Sequence, residues 1–251
     1  MHIDDLNKLL ALAKVAAVNA SKVIQYHFNN DTEAKKKDGT TTANSIVTQA
    51  DIESQKAILE ILEPTRIKYN LGLIAEEESC DNSRFEKDYF WCIDPLDGTL
   101  NFSKKKEGYS LSIALLSKAG RPILGLVLNP VTNDLYHAIK GQGAFKNDRQ
   151  LKITTNCNDV TIISGQGAVM NAINTIEMAP AIYYKLPKKS QGGGSIWDFA
   201  ATSIIQSEAG GFNSDFSQKK LMLNSKNTFM NEIGIIYASS IDLINKYLPK
   251  A

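Results

Sequence analysis

Apolar residues recur at helical spacing over residues 5–28, where Leu6, Leu9, Leu10, Ala13, Ala16, Ala17 and Val23 fall near one face and predict a long amphipathic helix. Residues 29–44 have no period; with Gly39 and a threonine run they read as a loop. A second helix is predicted from about Thr48, carrying Ile52, Ala57, Ile58, Ile61 and Leu62, with Pro64 as its end. The texture then changes. Residues 71–75, 89–93, 110–116, 123–129 and 135–138 are short apolar runs separated by turn residues, and they predict strands. Beyond them the pattern predicts a strand at 160–164, a helix at 168–178 and a strand at 181–184. A buried helix at 198–209, stopped by Gly210 and Gly211, precedes a strand at 234–239 and a helix at 241–248.

Strands and helices alternate without a clean βαβ period, which suggests an α+β fold of layered sheets and helices. A soft boundary within 147–158 separates residues 1–150 from residues 151–251, and the two halves are expected to form one compact unit.

Composition narrows the classes. The chain has 251 residues with 28 Lys plus Arg against 27 Asp plus Glu, a formal charge of +1 that argues against a general nucleic-acid binder. Cys80, Cys92 and Cys157 form no metal-binding pair, and an odd, scattered set reads as reduced thiols and a cytoplasmic setting. Asp4 and Asp5 stand where a signal peptide carries bases, and no apolar run reaches the ~18 residues of a membrane span. Neither secretion nor membrane insertion is therefore expected. The net charge conceals local runs, Lys104-Lys105-Lys106 and the lysines at 185, 188 and 189.

The candidate chemistry lies in where the acids sit. Glu76 follows the apolar run 71–75, Asp94 follows Trp91-Cys92-Ile93, Asp97 comes three residues later, and Asp198 opens a helix after Trp197. A carboxylate at the end of a buried element is held rigidly, and several converging there would need a cation between them. Oxygen donors favour Mg²⁺, and His2, His27 and His137 lack zinc-ligand spacing. In Asp94-Pro95-Leu96-Asp97-Gly98-Thr99 the proline stiffens the turn between two acids, Gly98 allows close approach of the backbone, and Thr99 offers a hydroxyl to a water. If Gly98 and Thr99 begin a helix, their N–H groups can hold a phosphate.

That segment resembles the DPxDGT signature of the inositol monophosphatase-like, Mg²⁺-dependent, lithium-sensitive phosphatases. Ile74-Ala75-Glu76-Glu77 resembles the family's upstream acidic motif, and Val47-Thr48-Gln49-Ala50-Asp51 its VTxxD segment. Trp197-Asp198-Phe199-Ala200-Ala201, followed by Glu208-Ala209-Gly210-Gly211, resembles its downstream motif. The resemblance implies a layered α-β-α-β-α sandwich, shared with the fructose-1,6-bisphosphatase type, and a homodimer. It implies that Glu76, Asp94, Asp97 and Asp198, with the Leu96 carbonyl, ligate Mg²⁺, most of them from the N-terminal half. The Gly98 and Thr99 N–H groups would hold the substrate phosphate, while Asp51, Thr99 and Glu76 would orient and deprotonate a metal-bound water.

The implied reaction is hydrolysis of a small phosphorylated metabolite by direct attack of that water, with inositol monophosphate as the default substrate. Asn101-Phe102 resembles the inositol phosphatase branch. The basic stretch at 103–108 looks more like the 3′(2′),5′-bisphosphate nucleotidases, which makes adenosine 3′,5′-bisphosphate the alternative. After the paired tyrosines 183 and 184, Lys185 stands near where inositol phosphatases carry a glutamate that contacts sugar hydroxyls. A lysine there suits a second phosphate better than a neutral polyol. A catalytically weak regulator that binds phosphorylated metabolites is the reading from another class, and neither a nucleic acid nor a membrane is an expected partner.

Overall fold

The computed structural model describes residues 1–30, 49–79, 81–154 and 159–246, and the backbone of 34–36, 46–48 and 247. In chain order the elements are α1 (Ile3–Asn29), β1 (Ala34–Lys36), β2 (Ile46–Thr48), α2 (Gln49–Tyr69), β3 (Gly72–Ala75), β4 (Tyr89–Asp97) and α3 (Thr99–Ser103). Then come β5 (Ser110–Ser117), β6 (Pro122–Leu128), β7 (Leu135–Ile139), β8 (Ala144–Lys146) and β9 (Arg149–Leu151). The last third holds β10 (Thr161–Ile162), α4 (Ala168–Glu177), β11 (Ala181–Lys185), α5 (Ile196–Glu208), β12 (Phe212–Ser214), β13 (Ile235–Ala238) and α6 (Ile241–Tyr247).

Strands β3 to β9 form a seven-stranded sheet in chain order, with β3 parallel to β4 and each later pair antiparallel. A four-stranded sheet follows, in the order β10-β11-β13-β12. Successive side chains of a strand point to opposite faces, and here both faces are covered. Trp91 and Ile93 of β4 pack with Leu9 and Ala13 of α1 and Ile58 and Leu62 of α2. Phe90 and Cys92, between them in sequence, face the other way, against Phe199 and Ala200 of α5. The second sheet repeats the device: Tyr183 and Tyr237 join the α4/α5 cluster, whereas Ile182 and Ile236 face Ile244 of α6. The layers are therefore α1/α2, large sheet, α4/α5, small sheet and α6, the α-β-α-β-α sandwich of the sequence reading. Each large apolar side chain fully buried in these layers contributes ~1.5–3 kcal/mol. The large sheet ends at Leu151, the small one begins at Thr161, and the α4/α5 cluster takes residues from both.

The structure departs from the sequence pattern at definite places. Pro64 does not end α2, which runs on to Tyr69. The proline removes one helical hydrogen bond, but the turn beyond it is anchored from outside. Thr65 is buried and its hydroxyl accepts from Trp91 Nε1 at 2.9 Å, while Arg66 reaches Asp81 at 3.1 Å. Part of the predicted loop 29–44 is strand β1, paired with β2 through Lys35↔Val47; the rest, outside residues 29, 30 and 34–36, lies outside the described residues, as do Cys80 and Cys157. Strand β4 passes the expected end at Ile93 and continues through Pro95. Its pairing with β5 shifts register between Asp94, opposite Ser112, and Asp97, opposite Ser110. That is a bulge, one of the few places in a sheet where proline is accommodated. Among the described residues no helix is long and apolar enough to cross a membrane.

Candidate active site

Strand ends and helix starts converge on one cleft. β3 runs directly into Glu76, the bulged end of β4 carries Asp94 and Asp97, and the first turns of α2 and α5 carry Asp51 and Asp198. The cleft has a volume of about 390 Å³, and its walls include Glu76, Asp94, Asp97, Thr99, Lys185 and Asp198.

Carboxylate oxygens of Asp94, Asp97 and Asp198 lie within 4.8 Å of one another, and all three residues are buried. Glu76 stands at the edge of this group, half-buried, and its charge acts on Asp94. Asp94 is fully buried. Its Oδ1 accepts the Leu96 N–H at 3.1 Å, and its Oδ2 has no hydrogen-bond partner among the described residues. Burial, then the charges of Glu76, Asp198 and Asp97, push its carboxyl well above the ordinary carboxylate range. Asp97 is raised to about 7 by burial and by Asp198, against the pull of backbone amides and of Lys185. An orphaned oxygen among crowded, buried acids is costly, and a cation between them removes the cost. The donors are all hard oxygens, which fits a Mg²⁺-like divalent ion and not a soft one.

The two helix starts at the cleft are held differently. Asp198 is the third residue of α5; its Oδ2 accepts the Ser195 N–H, and its own N–H donates to the Ser195 carbonyl at 3.2 Å. The start of α4 has no such residue, because its cap position is Gly167. Asp97 serves instead, taking the Ala168 N–H on Oδ1 at 3.0 Å and the Val169 N–H on Oδ2 at 2.8 Å. A Cβ on residue 167 would stand 2.2 Å from Asp97 Oδ2, so only glycine leaves room for this contact.

Asp51 is buried, and the Thr99 hydroxyl lies 3.2 Å from its Oδ1 and 3.1 Å from the Leu96 carbonyl oxygen. The predicted Asp51–Thr99 pair is thus brought together. Gly98 precedes α3 at φ +84°, and a Cβ there would meet the Gly108 carbonyl oxygen at 2.9 Å. Both conditions select glycine. Asn101 holds the neighbouring loops, donating from Nδ2 to the carbonyls of Glu107 at 3.0 Å and Gly165 at 3.1 Å.

Two residues missed by sequence reasoning support the acids. Ser54 donates its hydroxyl to the Pro95 carbonyl at 2.9 Å, and Gln55 Oε1 accepts the Glu77 N–H at 2.9 Å. They lie three and four residues after Asp51 and therefore share its helix face, a signal the spacing contains. The α4 amides gave no signal, since they are joined to Asp97 across 71 and 72 positions.

The lysine runs divide. Lys185, the last residue of β11, lines the cleft with its Nζ 5.8 Å from the centre of the Phe199 ring. Lys105 is turned instead toward α1, where its ammonium donates to the Phe28 carbonyl and lies over that ring. The C-terminal turn of a helix attracts a cation in this way.

Comparison with known proteins places the chain among relatives of one family. A sequence profile of the inositol monophosphatase family matches residues 5–172. The chain is 33% identical over 84% of its length to a Pasteurella multocida protein named Nus factor SuhB, covering 86% of that protein. It is 28% identical over 91% of its length to a Thermotoga maritima protein named fructose-1,6-bisphosphatase/inositol-1-monophosphatase, covering 92% of it. The crystal structure of a staphylococcal inositol monophosphatase, IMPase-I, complexed with products, superimposes with a TM-score of 0.75 at 18% identity, over 98% of this chain and 95% of that one; at this identity the likeness is one of fold.

Proposed function

The chain belongs to the inositol monophosphatase family, a family of phosphatases, and on that premise we propose that it is a Mg²⁺-dependent phosphomonoesterase acting on a small phosphorylated metabolite. The observation that carries this reading is the buried Oδ2 of Asp94, unpartnered among the described residues, inside a triad of aspartates. Asp94, Asp97 and Asp198, with Glu76 and the Leu96 carbonyl, would hold the cation. When bound, Mg²⁺ supplies charge neutralisation for the phosphate and lowers the pKa of a coordinated water.

The remaining work belongs to the chain. The N–H groups of Gly98 and Thr99 bind the phosphate oxygens. The Thr99 hydroxyl has one proton and two acceptors in reach; given to Asp51, that proton leaves the oxygen lone pairs for a water. Glu76 and the Thr99–Asp51 pair take up the proton as the water attacks phosphorus, and the ester oxygen departs on the opposite side, gaining a proton from solvent water to leave as the alcohol. No covalent enzyme intermediate is needed. Inositol monophosphate is the reference substrate, and adenosine 3′,5′-bisphosphate its competitor.

A regulatory role is the second reading, favoured by the name Nus factor carried by the 33%-identical relative. A cytoplasmic homodimer belongs to the same proposal, and sedimentation tests the dimer. Phosphate release from inositol 1-phosphate with Mg²⁺, set against chelator, separates enzyme from regulator. Asp94→Asn is expected to abolish release and to weaken Mg²⁺ binding; near-normal activity in that variant overturns the metal assignment.

A further inference from the structure

Arg84 is a buried charge that the cleft does not account for. It stands in the single 3₁₀ turn Ser83–Phe85 between β3 and β4, is 2% exposed and does not line the cleft. Among the described residues no carboxylate pairs with it, and its Nε has no hydrogen-bond partner. An arginine keeps its charge, so a buried one without a counterion is costly unless good acceptors hold it. It finds two, both on the long loop between β12 and β13. Nη1 donates to Asn224 Oδ1 at 2.6 Å, and Nη2 donates to the Ser225 carbonyl at 2.9 Å. Asn224 completes the joint from Nδ2, which donates to the Arg84 carbonyl at 3.2 Å and to the Lys118 carbonyl at 2.8 Å. The loop is thereby fastened to the turn before β4 and to the end of β5.

A short path leads from this anchor to the aspartates. The Ser225 hydroxyl donates to the Asn227 carbonyl, and Asn227 Oδ1 accepts the Phe229 N–H at 3.1 Å. Residues 228–230 then pair with residues 194–196. Phe229 makes an antiparallel bridge with Ser195, the Ile196 N–H donates to the Thr228 carbonyl at 2.9 Å, and the Met230 N–H donates to the Gly194 carbonyl at 3.0 Å. The paired stretch is the one that opens α5. The Ser195 N–H binds Asp198 Oδ2, and Gly194, Ser195, Asp198 and Phe229 all line the cleft. Gly192, Gly193 and Gly194, with φ of +103°, +94° and +101°, lead into it. Three glycines in a row give the approach to α5 little stiffness of its own. The start of the helix is therefore set by residues 228–230, and those are set by the anchor at 224–225.

Resting on the phosphomonoesterase reading, in which Asp198 helps to hold the cation, we propose that Arg84 is a positioning residue of the active site. Its guanidinium fixes residues 224–225, the pairing of 228–230 with 194–196 carries that fix inward, and Asp198 and Phe229 are thereby aimed into the cleft. The shape of the group matters as much as its charge. A planar fork holds a side-chain amide and a backbone carbonyl at a set angle to each other, whereas a lysine ammonium is a point charge on a flexible stem. Arg84 acts only through the loop, from outside the cleft.

The test compares Arg84→Ala, Arg84→Lys and Asn224→Ala with the wild-type chain, each at a temperature where circular dichroism shows it fully folded. Backbone hydrogen exchange is measured in chelator. Peptides covering 194–198 and 226–231 are expected to exchange about tenfold faster or more in each variant, while peptides of α1 stay within about twofold of wild type. The Mg²⁺ concentration that gives half-maximal phosphate release from inositol 1-phosphate is expected to rise about fivefold or more, and Arg84→Lys to recover less than half of that loss. Exchange at 194–198 that stays at its wild-type rate overturns the proposal and leaves Arg84 a local anchor of its loop. An unchanged Mg²⁺ midpoint overturns it too, as does full recovery by Arg84→Lys, which assigns the effect to charge alone. If Arg84→Ala does not fold, Asn224→Ala, which removes one acceptor of the fork, decides by the same two readouts. If the wild-type chain neither binds Mg²⁺ nor releases phosphate, the phosphomonoesterase reading fails, and exchange at 194–198 decides the role of Arg84.

Discussion

Helices α4 and α5 both begin at the cleft, and each begins on an aspartate, but they come by it in opposite ways. α5 carries Asp198 within its own first turn, where Ser195 binds it, so the helix fixes the carboxylate. α4 begins on Gly167 and borrows Asp97 from a strand 71 positions upstream of Ala168, so there the carboxylate fixes the helix. The difference teaches that the two acids, alike in a list of metal ligands, carry unlike structural loads. Asp198 can lose its charge and still start its helix. Asp97 ties the large sheet to the start of α4, and its change propagates into α4.

The largest expected effect treats the two alike. Asp97→Asn and Asp198→Asn should each lower phosphate release by about 10²-fold or more, the usual consequence of removing one electrostatic group from an active site. Activity of either variant within a few fold of wild type would remove that residue from the catalytic set.

Next comes Gly167→Ala. Its φ of −56° is open to alanine, so the only insult is the methyl group 2.2 Å from Asp97 Oδ2. Overpacking of this kind costs ~1–3 kcal/mol, readable in a urea melt, and Mg²⁺ affinity should fall with it. Unchanged melting and unchanged affinity would show that the α4 contact is slack.

The comparison is sharpened by stability in chelator. An asparagine at 97 offers one acceptor oxygen to two backbone N–H groups, whereas at 198 it can still accept from Ser195. Asp97→Asn should therefore be the less stable of the pair, by ~1–3 kcal/mol for the unsatisfied buried amide. Equal midpoints would break the distinction between the two helix starts.

The last comparison is of pH dependence without metal. Asp97 in the folded protein releases its proton at about 7, against an ordinary value of 3.8. Between those values the folded chain binds more protons than the unfolded one. Its contribution to stability is thus fully present below the lower value and is lost as pH rises through the upper one. Melts in chelator across that window should show the decline, and Asp97→Asn should make it shallower while the share of Asp94 remains; an unchanged slope in the variant would assign the titration elsewhere.

Much of this molecule is written locally. The stripe of α1 and the apolar runs of β4, β5 and β6 follow from period alone, because strands covered on both faces are apolar throughout. Asp198 and the Asp94–Thr99 segment were legible for the same reason, each being a carboxylate beside a strong local signal. Strands β8, β9 and β12 are three residues each, too short for any period to register. Thr65 rescues the turn after Pro64 through Trp91, a partner 26 positions away. The fates of Lys105 and Lys185 could not be told apart from composition, since one answers to the end of α1 and the other to a cleft built from five elements.

The register shift in β4 has an arithmetical consequence. Residues three apart on an ordinary strand stand on opposite faces, so Asp94 and Asp97 should look away from each other. Between them β4 advances three residues while β5 advances two, from Ser112 to Ser110. The surplus residue turns an odd interval into an even one, and both acids then face α4 and α5. The same count sets what the segment tolerates. Adding one residue to β5 between Ser110 and Ser112 would set three residues against three, restore a regular ladder and send one aspartate to the α2 side, so the length of this stretch is as constrained as its acids.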